Sequence, residues 1–236
     1  MDRGFIERVP PGEIHKRECH YVPHFAVEKE SATTPLRIVY DCSCKTATGV
    51  SLNDCLETGP PLQNDMLEIL LRFRIHRIGL SADIEKAFHK IILHESDRNF
   101  IRFLWSSNIQ NPDAELDVYR FKVIPFGASC SPFILLSVIK HHLQLFPFTT
   151  AADMDLNIYV DNLISGCDSP EEALDYYAVS NSILNKAGLN LQSLSSNEQT
   201  INVRAVEDGV ADSSTASKIL GLIWDRPTDT LSLPKV

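Results

Sequence analysis

No run of about 18 apolar residues, the length a bilayer-spanning helix needs, occurs in this 236-residue chain. Its start, Met1-Asp2-Arg3-Gly4-Phe5-Ile6-Glu7-Arg8, lacks the basic-then-apolar order of a secretory leader. These two absences predict an intracellular protein that is not secreted and has no membrane partner. Paired C-x-x-C spacing is missing as well. The six cysteines (Cys19, Cys42, Cys44, Cys55, Cys130, Cys167) therefore read as free thiols, and Cys19, His20, His24, Cys42 and Cys44 make only a weak zinc candidate. An excess of basic residues is missing too: 22 Lys+Arg stand against 31 Asp+Glu, a net charge of −9, which excludes an all-over basic nucleic-acid binder. There is no internal repeat or low-complexity tract.

A hydrophobic content of 44% with 22% charged residues suffices for one large core or two small subdomains. The charge is unevenly spread. Residues 1–110 carry 14 basic against 15 acidic side chains, whereas residues 111–236 carry 8 against 16. The first half is thus the better candidate for contacting phosphates, with Arg72, Arg74 and Arg77 as local sources of charge.

Prolines 10, 11, 23 and 35 mark residues 1–35 as an extended, turn-rich segment. A strand is predicted over 36–40, a long loop over 46–61, and a helix from about residue 62, with Met66, Ile69, Leu70 and Phe73 at i, i+3, i+4 and i+7. Further strands are predicted at 78–84, 99–105 and 117–123, the last alternating Tyr119, Phe121 and Val123 against Val118, Arg120 and Lys122. Ser131-Pro132 signals a helix start, with serine as cap, leading into a buried helix to residue 145. Ser169-Pro170-Glu171-Glu172 signals another, running to Gly188, with an inward stripe of Ala173, Tyr177, Leu184 and Ala187. Residues 197–217 carry no clear pattern. A terminal hairpin is predicted from Lys218–Trp224, a turn at 225–229 and a strand at 230–233.

Two aspartates stand out by position. Asp161, in Tyr159-Val160-Asp161-Asn162, lies between the apolar runs 156–160 and 163–164, at the tip of a predicted tight hairpin. Asp83 ends the alternating run Ile78-Leu80-Ala82 and is followed by Ile84-Glu85-Lys86-Ala87-Phe88. Taken singly, each has an ordinary role available, Asp83 as a helix cap and Asp161 as a turn residue. A phosphohydrolase nucleophile is a poor reading of Asp83, because Glu85 occupies the place of its partner aspartate.

The order and spacing of several blocks resemble the reverse transcriptases of LTR retrotransposons, most closely the BEL/Pao group. The blocks are residues 21–24, 35–91 (PLRIVYDCSCK to DIEKAFHKI), 97–105 (DRNFIRFLW), 119–136 (YRFKVIPFGASCSPFILL), 159–166 (YVDNLISG) and 218–225 (KILGLIWD). The resemblance implies an α+β fold, the fingers and palm of a right-hand polymerase, with an antiparallel palm sheet backed by helices. It divides the chain into an extended segment (1–35), fingers (36–82), palm with interleaved fingers strands (83–217) and a primer-grip-like hairpin (218–236).

The activity implied is RNA-directed DNA polymerisation, with two Mg²⁺ ions, or Mn²⁺ in their place, about 4 Å apart. Asp83, Asp161 and the backbone carbonyl of Ile84 are the implied metal ligands, hard oxygens of the kind magnesium prefers. Asn162 stands where a second aspartate is usual, and an amide brings no negative charge. Arg37 is the implied triphosphate contact, with a solvated strand-end charge as its plain reading. Phe88 is the implied barrier to a ribose 2′-hydroxyl, or simply core. Phe126 and Gly127 are the implied nucleotide-pocket segment, or a structural turn.

Implied partners are an RNA or DNA template with its primer, deoxynucleoside triphosphates, and the thumb, ribonuclease H and integrase domains of a polyprotein. Two further readings stay open: a catalytically impaired relative that binds nucleic acid without extending it, and a protein-binding module that keeps only the palm shape.

Overall fold

The computed structural model describes residues 4–28, 36–106, 108, 110–111, 114–214 and 216–234. Along the chain the elements are β1 (Ile6–Arg8), β2 (His24–Glu28), β3 (Leu36–Tyr40), α1 (Leu52–Cys55), α2 (Met66–Ile75) and β4 (Ile78–Ile84). They continue with β5 (Arg102–Trp105), β6 (Asp117–Phe121), α3 (Ser131–Leu143), α4 (Thr149–Asn157), β7 (Ile158–Tyr159) and β8 (Asn162–Cys167). Last come α5 (Pro170–Asn185), β9 (Leu191–Ser196), α6 (Gln199–Glu207), β10 (Ala216–Ile219), β11 (Leu222–Asp225) and β12 (Thr230–Ser232). Contacts group them into two units, residues 1–60 with 88–134, and residues 61–87 with 135–236.

The first unit holds two antiparallel sheets, β1-β6-β5 and the ribbon β2-β3. Its core is aromatic: Tyr40 meets the edges of Phe103 and Phe121, and Val22, Cys42, Leu52 and Ile101 close around them. The alternation predicted for 117–123 does not separate core from solvent here. Arg120 is buried beside Phe121, because the N-terminal segment, extended and turn-rich in its sequence, covers that face with Glu7 and Glu13. The strand predicted from residue 99 begins only at Arg102; residues Glu95–Ile101 form a 3₁₀ turn, with the Asn99 side chain turned onto buried arginines. The predicted loop 46–61 contains α1, whose capping box joins Ser51 to Asp54.

The second unit is built on the antiparallel sheet β7-β8-β4-β9. By the two-residue period of a strand, Leu80 and Ala82 share a face with Leu163 and Ser165, and Tyr176 and Tyr177 of α5 lie over it. The opposite face carries Gly79, Ser81 and Asp83 on β4, with Asn162, Ile164 and Gly166 on β8. At its Gly79 end sit α2 and the terminal strands, where Ile69, Phe73, Ile164, Ile219 and Trp224 form a cluster. Phe73 and Trp224 occupy the space a side chain at Gly79 would need: a Cβ there would lie 2.6 Å from the Phe73 ring.

Four sequence expectations change in this unit. The helix predicted from about residue 62 begins only at Met66, where the Asp65 carboxylate caps it by accepting from the Leu67 and Glu68 N–H groups. Leu156 is not in the hairpin but exposed on α4, whose three-to-four-residue spacing buries Ala151, Met154 and Asn157 and leaves β7 only two residues. The run 218–224 is not one strand: Leu220 and Gly221, both at positive φ, turn it, so the terminal hairpin is the meander β10-β11-β12. Ala187 lies beyond α5 and is exposed, the inward stripe being completed by Ser180 and Ile183. The unpatterned region 197–217 contains α6. At α3, the Ser131 hydroxyl donates to the Pro125 carbonyl (2.8 Å).

Asp229 anchors the meander, its carboxylate accepting from Arg74 (2.7 Å) and from the indole N–H of fully buried Trp224 (2.9 Å). Replacing Asp229 by alanine orphans that N–H, at an expected cost of about 1–3 kcal/mol. Urea titration should show the loss together with a red shift of tryptophan emission, and an Asp229→Asn control should recover most of it.

Candidate active site

In the second unit Asp83 and Asn162 are cross-strand partners on β4 and β8. Asp161 is the second residue of the two-residue turn between β7 and β8, and its carbonyl accepts from the Ile84 N–H at 2.7 Å. Two strand ends thereby bring Asp83, Ile84, Asp161 and Asn162 together. The first turn residue, Val160, sits at φ +56°, a conformation costly for a β-branched side chain. The two-residue turn closing this register is what holds Asp161 against β4.

Asp83 also faces β9. Two residues of β9, Ser193 and Leu194, stand against the single Ala82 of β4, and this bulge, with Ser193 at φ +55°, brings the Ser193 side chain beside the Asp83 carboxylate. Asp83 reaches solvent, yet burial around the strand end pushes its carboxyl above the usual aspartate range. The neighbouring Ser193 side chain opposes that push, and the Asp161 and Asp212 charges add to it. Burial raises Asp161 likewise, opposed by its backbone and by Asn162. The Asn162 amide donates to Asp161 Oδ1 at 2.9 Å.

Two raised carboxyls sharing one corner, with an amide and backbone carbonyls as further oxygen donors, fit a hard divalent cation: its charge would relieve both the desolvation and the mutual repulsion. Among the described residues no group of three or more His, Cys, Asp or Glu side chains is arranged to hold a metal ion, so the cysteine and histidine cluster near residue 20 does not form a zinc site. No helix among them is long and apolar enough to cross a membrane.

The remaining candidates lie in the first unit. Arg37 is exposed on the β2-β3 ribbon, opposite Val27. Phe88 is buried and meets the Phe126 ring edge to face at 4.7 Å, so it serves as core as well as candidate, whereas Phe126 is 52% exposed. Gly127 sits at φ +95°, where a Cβ would lie 2.8 Å from the Tyr40 carbonyl oxygen. A Gly127→Ala substitution therefore combines left-handed strain with a backbone clash, at an expected cost of about 2–4 kcal/mol, measurable by urea unfolding.

Arg72 and Arg74 are committed within the second unit. Arg72 bonds Asn157 and the Leu156 carbonyl and lies 3.4 Å from Glu68, and Arg74 pairs with Asp229, so both side chains are engaged within the unit. Tyr159 packs against the Trp224 cluster. Sequence patterning missed Ser193, whose role depends on a bulge that leaves no trace in local periodicity.

The sequence matches the profile of the family described as reverse transcriptase (RNA-dependent DNA polymerase) over residues 33–197. A search of curated protein sequences returns no match. Among solved structures, the foamy viral protease-reverse transcriptase in complex with double-stranded DNA superposes with a TM-score of 0.65 at 15% identity, over 99% of this chain and 33% of that one. The foamy viral protease-reverse transcriptase in complex with an RNA/DNA hybrid gives 0.63 at 14% identity, over 98% and 25%. A prototype foamy virus protease-reverse transcriptase mutant gives 0.58 at 17%, over 80% and 21%. The chain thus spans a third or less of the length of these relatives.

An antiparallel sheet backed by helices, carrying one aspartate on a strand and another in the adjoining turn, is the α+β palm of the right-hand polymerase class. The family match covers more than half of the sequence: the chain belongs to the reverse transcriptase family, RNA-directed DNA polymerases whose domains generally use divalent metal ions.

Proposed function

We propose that the chain is the fingers and palm of a BEL/Pao-type LTR retrotransposon reverse transcriptase, which adds deoxynucleotides to a primer on an RNA or DNA template. The observation that carries this reading is the pairing of Asp83 with Asn162 across β4 and β8, with Asp161 in the adjoining turn. The division is fingers over residues 36–82, palm with interleaved fingers strands over 83–217, and primer grip over 218–236. Two magnesium ions, replaceable by manganese, would be held by Asp83, Asp161 and the Ile84 carbonyl, and would supply the positive charge that activates a primer hydroxyl and neutralises pyrophosphate.

The protein's own groups do the rest. Ser193 fixes the Asp83 carboxylate, and the turn at Val160 fixes Asp161. Arg37 holds the triphosphate, Phe88 rejects a 2′-hydroxyl, and Phe126 with Gly127 shapes the nucleotide pocket. The nucleic acids bound by the foamy viral relatives support a template and primer as partners here. Thumb, ribonuclease H and integrase domains of a polyprotein, assembled in the cytoplasm, are the proposed protein partners.

Primer extension on an RNA template with deoxynucleotides, run in magnesium and in manganese, tests this reading. Extension that vanishes in Asp83→Asn supports it, whereas extension indifferent to that change sinks the site. A second reading, a disarmed module that binds a hybrid duplex without extending it, is favoured by one observation: the Asn162 amide donates to the Asp161 carboxylate and adds no charge of its own. It predicts salt-dependent binding with no extension.

A further inference from the structure

Helix α1 is only four residues long, yet one of its side chains makes three hydrogen bonds to two separate loops of the first unit. The Asn53 amide Nδ2 donates to the Gly127 carbonyl (3.0 Å) and to Ser43 Oγ (2.8 Å), while its Oδ1 accepts from the Ser129 N–H (2.8 Å). The Asn53 backbone N–H donates to the Cys42 carbonyl (3.0 Å). The Ser51–Asp54 capping box fixes the turn from which Asn53 projects. Residues 41–43 continue β3, the strand that carries Arg37, and residues 127–129 follow Phe126.

We propose that Asn53 is a positioning residue for nucleotide binding, clamping the base of the Arg37 strand to the Phe126-Gly127 loop through both faces of its amide. This rests on the reading that Arg37, Phe126 and Gly127 contact the nucleotide. The chemistry requires an amide of this length: two donors for an oxygen on each loop and one acceptor for a backbone N–H. An aspartate keeps the shape but turns both donors into acceptors facing the Gly127 carbonyl and Ser43 Oγ. Gly127, at positive φ and with no room for a Cβ beside the Tyr40 carbonyl, is a permissive point in the chain, and Asn53 ties the loop on both sides of Ala128.

The test is equilibrium binding of a deoxynucleoside triphosphate to the full chain on a primer-template whose primer ends in a dideoxynucleotide, so that no bond can form. Asn53→Asp is expected to raise the nucleotide Kd about tenfold and Ser43→Ala about threefold, with primer-template affinity unchanged. Thermal melts check folding, and if Asn53→Asp does not fold, the milder Ser43→Ala decides. Should Arg37→Ala weaken nucleotide binding while folded Asn53→Asp leaves it unchanged, the clamp is refuted and the nucleotide reading stands. Should the unaltered chain hold no nucleotide, or Arg37→Ala and Phe126→Ala both leave its binding unchanged, the reading falls and the clamp with it.

Discussion

Restoring a carboxylate by Asn162→Asp is expected to raise the rate of magnesium-dependent primer extension on the order of 100-fold, or about 2.7 kcal/mol of transition-state stabilisation. Asn162 faces Asp83 across the ladder and touches Asp161, so a charge placed there joins the one corner that already holds two carboxylates. The same change has an opposite effect without metal. It removes the 2.9 Å amide bond to Asp161 and sets a third negative charge beside two carboxyls already raised by burial. In EDTA the variant should therefore melt at a lower temperature than the parent, and added magnesium should raise its Tm by more than it raises the parent's.

The sign of the pH dependence follows from the raised carboxyls. Asp83 and Asp161 bind protons more tightly folded than unfolded, so their ionisation costs stability as pH rises through the window just above the ordinary aspartate range, and the metal-free protein gains stability as pH falls through it. Cation binding requires the ionised forms and should be lost on acidification in that same window. Titrating the magnesium-induced Tm shift against pH checks both. A shift that is the same in Asn162→Asp as in the parent would remove this corner from the metal site.

The second large effect lies in the other unit. Asn99→Leu is expected to destabilise it by about 3–5 kcal/mol, although the substitution is close to isosteric. Arg102 and Arg120 are cross-strand partners on β5 and β6, 0% and 3% exposed, and Asn99 Oδ1 accepts from both guanidinium groups at 2.8–3.2 Å. Glu7 and Glu13 neutralise Arg120, whereas Arg102 is met by the Glu13 and Ile14 carbonyls and the Tyr21 hydroxyl. Leucine would leave two desolvated cations facing each other with no shared acceptor.

Urea unfolding resolves where the loss falls, because Trp105 lies in the first unit and Trp224 in the second. Asn99→Asp, which keeps the acceptor and adds a countercharge, should stay within about 1 kcal/mol of the parent. Acid should weaken the same network. Arg120 holds the Glu13 carboxyl below the usual glutamate range, so its contribution is complete above that range and fades as pH falls through the lowered value.

Local chemistry written in the sequence determined a good deal of this protein. The Ser169-Pro170 start of α5, the spacing of Met66 to Phe73 in α2 and the alternation of 78–84 in β4 all follow from caps and periods that act within a few residues, and the order of the polymerase-like blocks pointed to the fold and its two aspartates. Tertiary structure alone decided the rest, because burial and partner choice depend on what folds over a segment from far along the chain. Arg120 occupies a strand position that reads as solvent-facing and is buried only because Glu7 and Glu13 return to it. Leu156 reads as hairpin until α4 claims it, and Ser193 reaches Asp83 only through a bulge on a strand that pairs at long range. Asn53 binds two loops that no local pattern links.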